Sequence, residues 1–206
     1  MHTNRREFLQ IAAVASTLGT LGRADEAEAK FMPHTWERDP RNPVFKPSAD
    51  FDVKGCQGPF VVVHEGKYWL FYGGYGSTGM QKICLATAAV DRLTEWTSHG
   101  PILELGDVGT FDEVGATYPC VHRIGDRWHL YYTGRSTQDG PQHFSNYRGL
   151  GLAVSDNLRD WKKHSTEPVI DGAGYPGFPD NKVIVGLGRV MEIPQEDGRT
   201  LYRLYH

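Results

Sequence analysis

"FDVKGCQGP" occupies residues 51–59 and "FDEVGATYP" residues 111–119, with Phe, Asp, Gly and Pro at the same internal spacing, and 111 − 51 = 60. A self-similarity of this period is weighed before any local propensity, because each copy is then one supersecondary unit that buries its apolar face only against a neighbour. The likeness runs on outward. Residues 59–74 read "PFVVVHEGKYWLFYGG" and residues 118–134 read "YPCVHRIGDRWHLYYTG", so that Pro59, Tyr68, Tyr72 and Gly74 map to Pro119, Trp128, Tyr132 and Gly134. Further on, Ala86 maps to Ala153 and Pro101 to Pro168 at an offset of 67, which places seven extra residues in the loop after Gly134.

Each copy holds four short runs rich in Val, Ile, Tyr, Phe and Trp, separated by Gly, Asp and Asn turn signals. In the first copy they predict strands over Pro59–His64, Lys67–Gly73, Lys82–Ala88 and Trp96–Gly100. Four antiparallel strands per unit of this length describe a propeller blade. A third copy begins at Phe178, ten residues after Pro168 as Phe111 is ten after Pro101, and "GRVMEIPQEDGRTLYRLYH" supplies its first two strands. In "WERDPRNPVF" Trp36 and Pro43 stand seven apart, as do Trp161 and Pro168, which predicts an outer strand of the kind that closes a ring. The expected fold is all-β: a β-propeller of the usual four to eight blades, represented here by about two and a half blades plus an N-terminal closing strand, the front part of a longer design.

Residues 1–29 read differently. Arg5 and Arg6 precede a small-residue apolar run to Leu21 and Ala-rich ground, a pattern that resembles a twin-arginine export signal. The expectation is a periplasmic or extracellular protein whose domain spans residues 30–206, with no stable membrane span once the signal is removed. A net charge of −3 gives no basic face for a phosphate backbone, so nucleic acid is not an expected partner. Three cysteines, Cys56, Cys84 and Cys120, are too few for a disulfide framework or a zinc site, and nine histidines form no metal-binding spacing. No cofactor and no metal is expected; a Cys56–Cys120 bridge is conceivable because the two lie near equivalent places in the repeat.

The Gly58-Pro59 opening of the inner strand, "GKYWLFYGG" as the second strand and "LAVSDNLRDWKKH" leading into the fourth resemble the five-bladed propellers of glycoside hydrolases, among them families 43, 32 and 130. The resemblance covers roughly Trp36 to His206. It implies a funnel at one end of the ring where a pair of carboxyl groups, ~6.5–9.5 Å apart in an inverting enzyme, cleaves a glycosidic bond. It also implies an Asp just before the first inner-strand Pro, where this chain has Gly58, another just after the second, where it has Cys120, and a Glu near 186–189, where none occurs.

In a propeller the inter-blade connections and the loops joining second to third strands share one face, here residues 51–58, 74–81, 104–118, 135–148 and 171–186. Candidate catalytic carboxylates on it are Glu113, Asp180, Asp52 and Asp112. Asp52 and Asp112 recur with the repeat and read more readily as Asx-type caps than as catalytic groups. Glu113 and Asp180 break it: Val53 stands where Glu113 would map, and Asp180 falls one place late after Phe178. Candidate substrate-binding residues are Arg135, whose fork of donors suits hydroxyls or a carboxylate, with Gln57, Tyr118, His143 and Tyr147. Glu192 on the third inner strand points either into the channel or into the blade. The expected function is hydrolysis of glycosidic bonds in oligo- or polysaccharides by carboxylate acid/base catalysis, with a carbohydrate as substrate; the alternatives are a non-catalytic carbohydrate-binding propeller or truncated pseudoenzyme, and a protein-interaction propeller.

Overall fold

The computed structural model describes residues 37–137, 147–171 and 188–205. Within the unit from Pro43 onward, strands β1 (Gly55–His64), β2 (Lys67–Tyr75), β3 (Gln81–Ala89) and β4 (Thr97–Pro101) form an antiparallel meander. Strands β5 (Gly115–Ile124), β6 (Arg127–Arg135) and β7 (Tyr147–Ser155) form a second, edged by β8 (Lys162–Lys163) and β9 (Ile170–Asp171), which both pair with β7. A hairpin of β10 (Arg189–Pro194) and β11 (Thr200–Tyr205) follows. The two meanders share a single parallel pair, Gln81 with Gly115, which joins the two leaves in one nine-stranded sheet. All strands expected in the first copy form; β1 ends at His64 and β2 begins at Lys67 as expected, and the other ends differ by one to four residues. The tight β1–β2 turn follows from Glu65 and Gly66, both at positive φ (49° and 71°), the backbone twist that a two-residue hairpin requires.

Two expected elements differ. The fourth strand of the second copy splits into β8 and β9: His164 N–H still donates to the Leu152 carbonyl and Val169 N–H to that of Leu150. Between them the Glu167 N–H turns in to the Ser165 hydroxyl and Pro168 brings no donor, so the ladder is interrupted. The expected closing strand is also missing from its described part. Residues 39–42 form a turn, closed by the Asn42 N–H on the Asp39 carbonyl, in which the Asp39 carboxylate takes the Arg41 backbone N–H at 2.9 Å and its guanidinium, and Pro40 and Pro43 have no N–H to offer a neighbouring strand. Residues 1–36, including Trp36 and the export-type segment, lie outside the described residues. Among the described residues no helix is long and apolar enough to cross a membrane.

The leaves pack face to face. Trp69 and Phe71 of β2 and Ile83 and Leu85 of β3 share one buried cluster with Ala116 and Val121 of β5, Trp128, Leu130 and Tyr132 of β6, and Ala153 of β7. The period of two that sends these residues to one face sends Leu70, Tyr72, Cys84 and Ala86 to the other, where Phe45, Phe51 and Trp96 cover them. Each fully buried Leu, Ile or Phe of this kind contributes about 1.5–3 kcal/mol relative to exposure.

The repeated Phe-Asp segment is explained by the packing. Asp52 and Asp112 are buried, and the Tyr72 and Tyr132 hydroxyls donate to their Oδ2 atoms at 3.0 and 2.9 Å. Each connection entering a leaf is thereby latched to that leaf's second strand. Glycine at 134 is demanded by the same arrangement, since a Cβ there would collide with the Phe111 ring; one at Gly74 would lie 2.9 Å from the Phe51 carbonyl.

Candidate functional site

The inner strands β1 and β5 both carry a bulge, between Gln57 and Phe60 and between Thr117 and Cys120. In each bulge one residue takes a left-handed backbone: Gly58 at φ 56° and its repeat equivalent Tyr118 at φ 51°. Glycine adopts this conformation freely; tyrosine does so against steric resistance. The Tyr118 ring lies against Gly58, where a Cβ would stand 2.7 Å from Tyr118 Cδ1. Beside it the Gln57 amide donates from Nε2 to Thr117 Oγ1 at 3.0 Å, a link between two further repeat equivalents. The bulges thus bring Gln57, Gly58, Thr117 and Tyr118 together at the seam of the two leaves, with Gln57 and Tyr118 half-buried.

The candidate carboxylates are placed in three different settings. Asp52 accepts the Ser48 and Ala49 N–H groups at 3.0 and 2.9 Å on Oδ1 and Tyr72 on Oδ2. Asp112 takes Thr110 Oγ1 at 3.3 Å, Tyr132 and, at 2.6 Å, the Lys163 ammonium. Both are buried behind these partners. Glu113 sits nearer the surface as a staple between two loops: Gly109 N–H at 2.7 Å on Oε2, and Thr137 N–H, Ser136 hydroxyl and Thr137 hydroxyl at 2.7, 2.8 and 2.8 Å on Oε1. The Gly109 N–H first, then the Thr137 N–H and the two hydroxyls, lower its pKa from 4.5 to about 2. A carboxyl so held is ionised at neutral pH and carries no proton to give a leaving group. Asp180 lies outside the described residues.

Arg135, at the end of β6, runs over Gly115 and donates from Nη1 to Gln81 Oε1 at 2.8 Å on the first leaf. It therefore bridges the leaves beside their one shared backbone pair. Tyr147 opens β7 opposite Arg135 in the backbone register, and His143 lies outside the described residues. Cys120 is buried, Cys56 is exposed, and no pair of cysteines is bonded; burial pushes the Cys84 thiol up to about 12. Glu192 meets His122 Nε2 of β5 at 2.9 Å, which joins the third hairpin to the second leaf. Among the described residues no group of three His, Cys, Asp or Glu side chains is placed to hold a metal ion. Thr117 and Gln81 belong to this site although their residue types carry no catalytic signature. The repeat itself marks Thr117, which stands where Gln57 maps; nothing in the sequence marks Gln81.

No family model matches the chain. It is 25% identical over 127 residues to a 1,2-beta-oligomannan phosphorylase of Thermoanaerobacter sp. (strain X514), an alignment that covers 59% of this chain and 35% of that protein. Among solved structures, a glycoside hydrolase matches at TM-score 0.51 and 16% identity over 74% of this chain and 47% of its own. A second, a complex of BT0996 with RGII, matches at TM-score 0.52 and 17% identity over 75% of this chain and 47% of its own. The chain spans about a third of the curated relative and about half of these two structures. At such identities the likeness is one of fold: the all-β leaves described above are arranged as in glycoside hydrolases of the propeller type.

Proposed function

We propose that the chain belongs to a five-bladed ring and recognises an oligosaccharide at the paired inner-strand bulges, with Gln57, Thr117 and Tyr118 as the contact set and Arg135 at its edge. The observation that carries this reading is Tyr118. A non-glycine residue persists in the left-handed region only where its surroundings over-determine it, and such residues cluster at ligand sites. Its phenol offers an apolar face and a polar tip, and the adjacent Gln57 amide both donates and accepts, which suits a ring carrying hydroxyls. Binding without turnover fits Asp52, Asp112 and Glu113, each committed to protein donors, and the Gly58 and Cys120 that occupy the places where the resemblance implies acids.

Calorimetric titration with β-1,2-linked mannobiose and with xylo- and arabino-oligosaccharides tests it. Tyr118→Gly keeps the backbone conformation while deleting the ring, so affinity is expected to fall by at least about tenfold with the fold intact. Equal binding by parent and Tyr118→Gly rejects the site.

The second reading is hydrolysis, favoured by the fold shared with glycoside hydrolases. In it Glu113, ionised by its four donors, acts as base or electrostatic partner and Asp180 as acid, Asp52 and Asp112 being supports. Release of reducing ends by the parent and not by Glu113→Gln supports it; release by neither, with binding retained, returns the first reading.

A further inference from the structure

A second concavity, lined by none of the bulge residues, lies between the strap Pro101–Asp107 that leaves β4 and the segment Arg159–Lys163 of the second leaf. Its volume, about 640 Å³, falls within the range of small-molecule sites, roughly 300–1,000 Å³. Its floor is polar and already neutralised, because Lys163 Nζ and the buried Asp112 carboxylate meet at 2.6 Å. Its walls carry opposite charges: Asp107 on the strap and Lys162 on the outer segment are exposed, and neither side chain has a hydrogen-bond or ion-pair partner among the described residues. Trp161 stands between them, half-buried, one edge set against Phe71 at 5.9 Å and 87° and its Nε1–H donated to the Leu158 carbonyl at 3.1 Å.

We infer that this groove is a second binding site, and that it takes a neutral saccharide. Carboxylates and cations nearly balance along its lining: Glu104, Asp107, Asp112 and Asp160 against Arg159, Lys162 and Lys163. That balance gives an anionic or cationic ligand no net attraction, whereas a hydroxyl, which donates to Asp107 and accepts from Lys162, uses both walls at once. The indole adds an apolar surface for the carbon face of a sugar ring, in the manner of sites that combine apolar lining with a few convergent polar groups. Such a site shares no lining residue with the bulges, and engagement of both by one polymer raises avidity without any new contact at either.

The test is titration of the ¹⁵N-labelled full chain with β-1,2-linked mannobiose, followed by amide and indole resonances, with potassium sulfate and galacturonate as charged controls. Shifts at Gly106, Asp107, Lys162 and the Trp161 indole are expected with mannobiose and not with the controls, and Asp107→Ala/Lys162→Ala is expected to weaken them at least about tenfold without moving the thermal midpoint. Shifts confined to Gln57, Thr117 and Tyr118 overturn the groove and leave the bulge site standing; shifts confined to the groove do the reverse. No shift at either set, or a larger response to sulfate or galacturonate, overturns the groove as a neutral-saccharide site.

Discussion

Removing one hydroxyl from each Asp–Tyr latch makes two nearly identical perturbations with unequal expected costs. Tyr72 and Tyr132 are both buried to within 1% exposure, so substitution by Phe keeps the ring, leaves no cavity and deletes the hydrogen bond to the Asp, and at Tyr72 a hydrogen bond with Ser98 besides. In the second leaf Asp112 Oδ2 retains the Lys163 ammonium at 2.6 Å, and the loss is that of one bond to a carboxylate, about 1.5 kcal/mol. In the first leaf Asp52 Oδ2 is left with the Cys56 thiol at 3.9 Å, a weak donor, so the burial of an unsatisfied oxygen adds to the lost bond and the total reaches about 3 kcal/mol. With a urea m-value on the order of 2 kcal/mol/M, Tyr72→Phe lowers the unfolding midpoint by about 1.5 M and Tyr132→Phe by about 0.75 M. Urea titration of both variants beside the parent, read by tryptophan fluorescence at neutral pH, gives the two shifts. Equal midpoints, or a larger loss for Tyr132→Phe, refute the claim that Lys163 is what separates the two latches.

Glu113 yields a pH dependence. Its folded pKa of about 2 lies below the ordinary 4.5, so its contribution is complete above pH 4.5 and disappears as pH falls toward 2. The stability gap between parent and Glu113→Gln is therefore expected to narrow over that window in acid titration; a constant gap would show that the four donors do not depend on the charge. Gly58→Ala places a Cβ at positive φ and 2.7 Å from Tyr118 Cδ1, whereas Gly66→Ala meets nothing within 4 Å at φ 71°. Each is expected to lose about 1–2 kcal/mol to the left-handed backbone, and Gly58→Ala more than Gly66→Ala, measured by thermal unfolding; equal losses would mean that the Tyr118 ring is not seated on Gly58.

The strands were legible because period-two patterning and the 60-residue repeat agree: Tyr72 and Tyr132, or Gly74 and Gly134, announce equivalent places before any coordinate is known. The roles of the repeated Asp residues were half legible. A structural role for Asp52 was readable from its recurrence, but its carboxylate takes the N–H groups of Ser48 and Ala49, which precede it, and not those of the turn that follows; the Tyr partner sits twenty residues on, and only folding of the leaf brings it near. Glu113 stood out by breaking the repeat, yet the sequence could not reveal that Gly109, Ser136 and Thr137 converge on it, since Ser136 and Thr137 arrive from across β6. The strain at Tyr118 was hidden for a different reason: it is a property of the bulge, which sets Tyr118 and Pro119 against the single residue Tyr132 and so shifts the register by one, and leaves no mark in residue type. The fourth strand of the second copy failed as one run because a turn hydrogen bond at Ser165 outcompetes the ladder where Pro168 has already removed a donor.

The latches also bear on how the chain assembles during synthesis. Each closes over twenty residues, so little loop entropy is lost in forming it, and neither waits for the partner leaf. As the polypeptide emerges from the ribosome, the first meander is able to fasten its own entrance before the second has been translated.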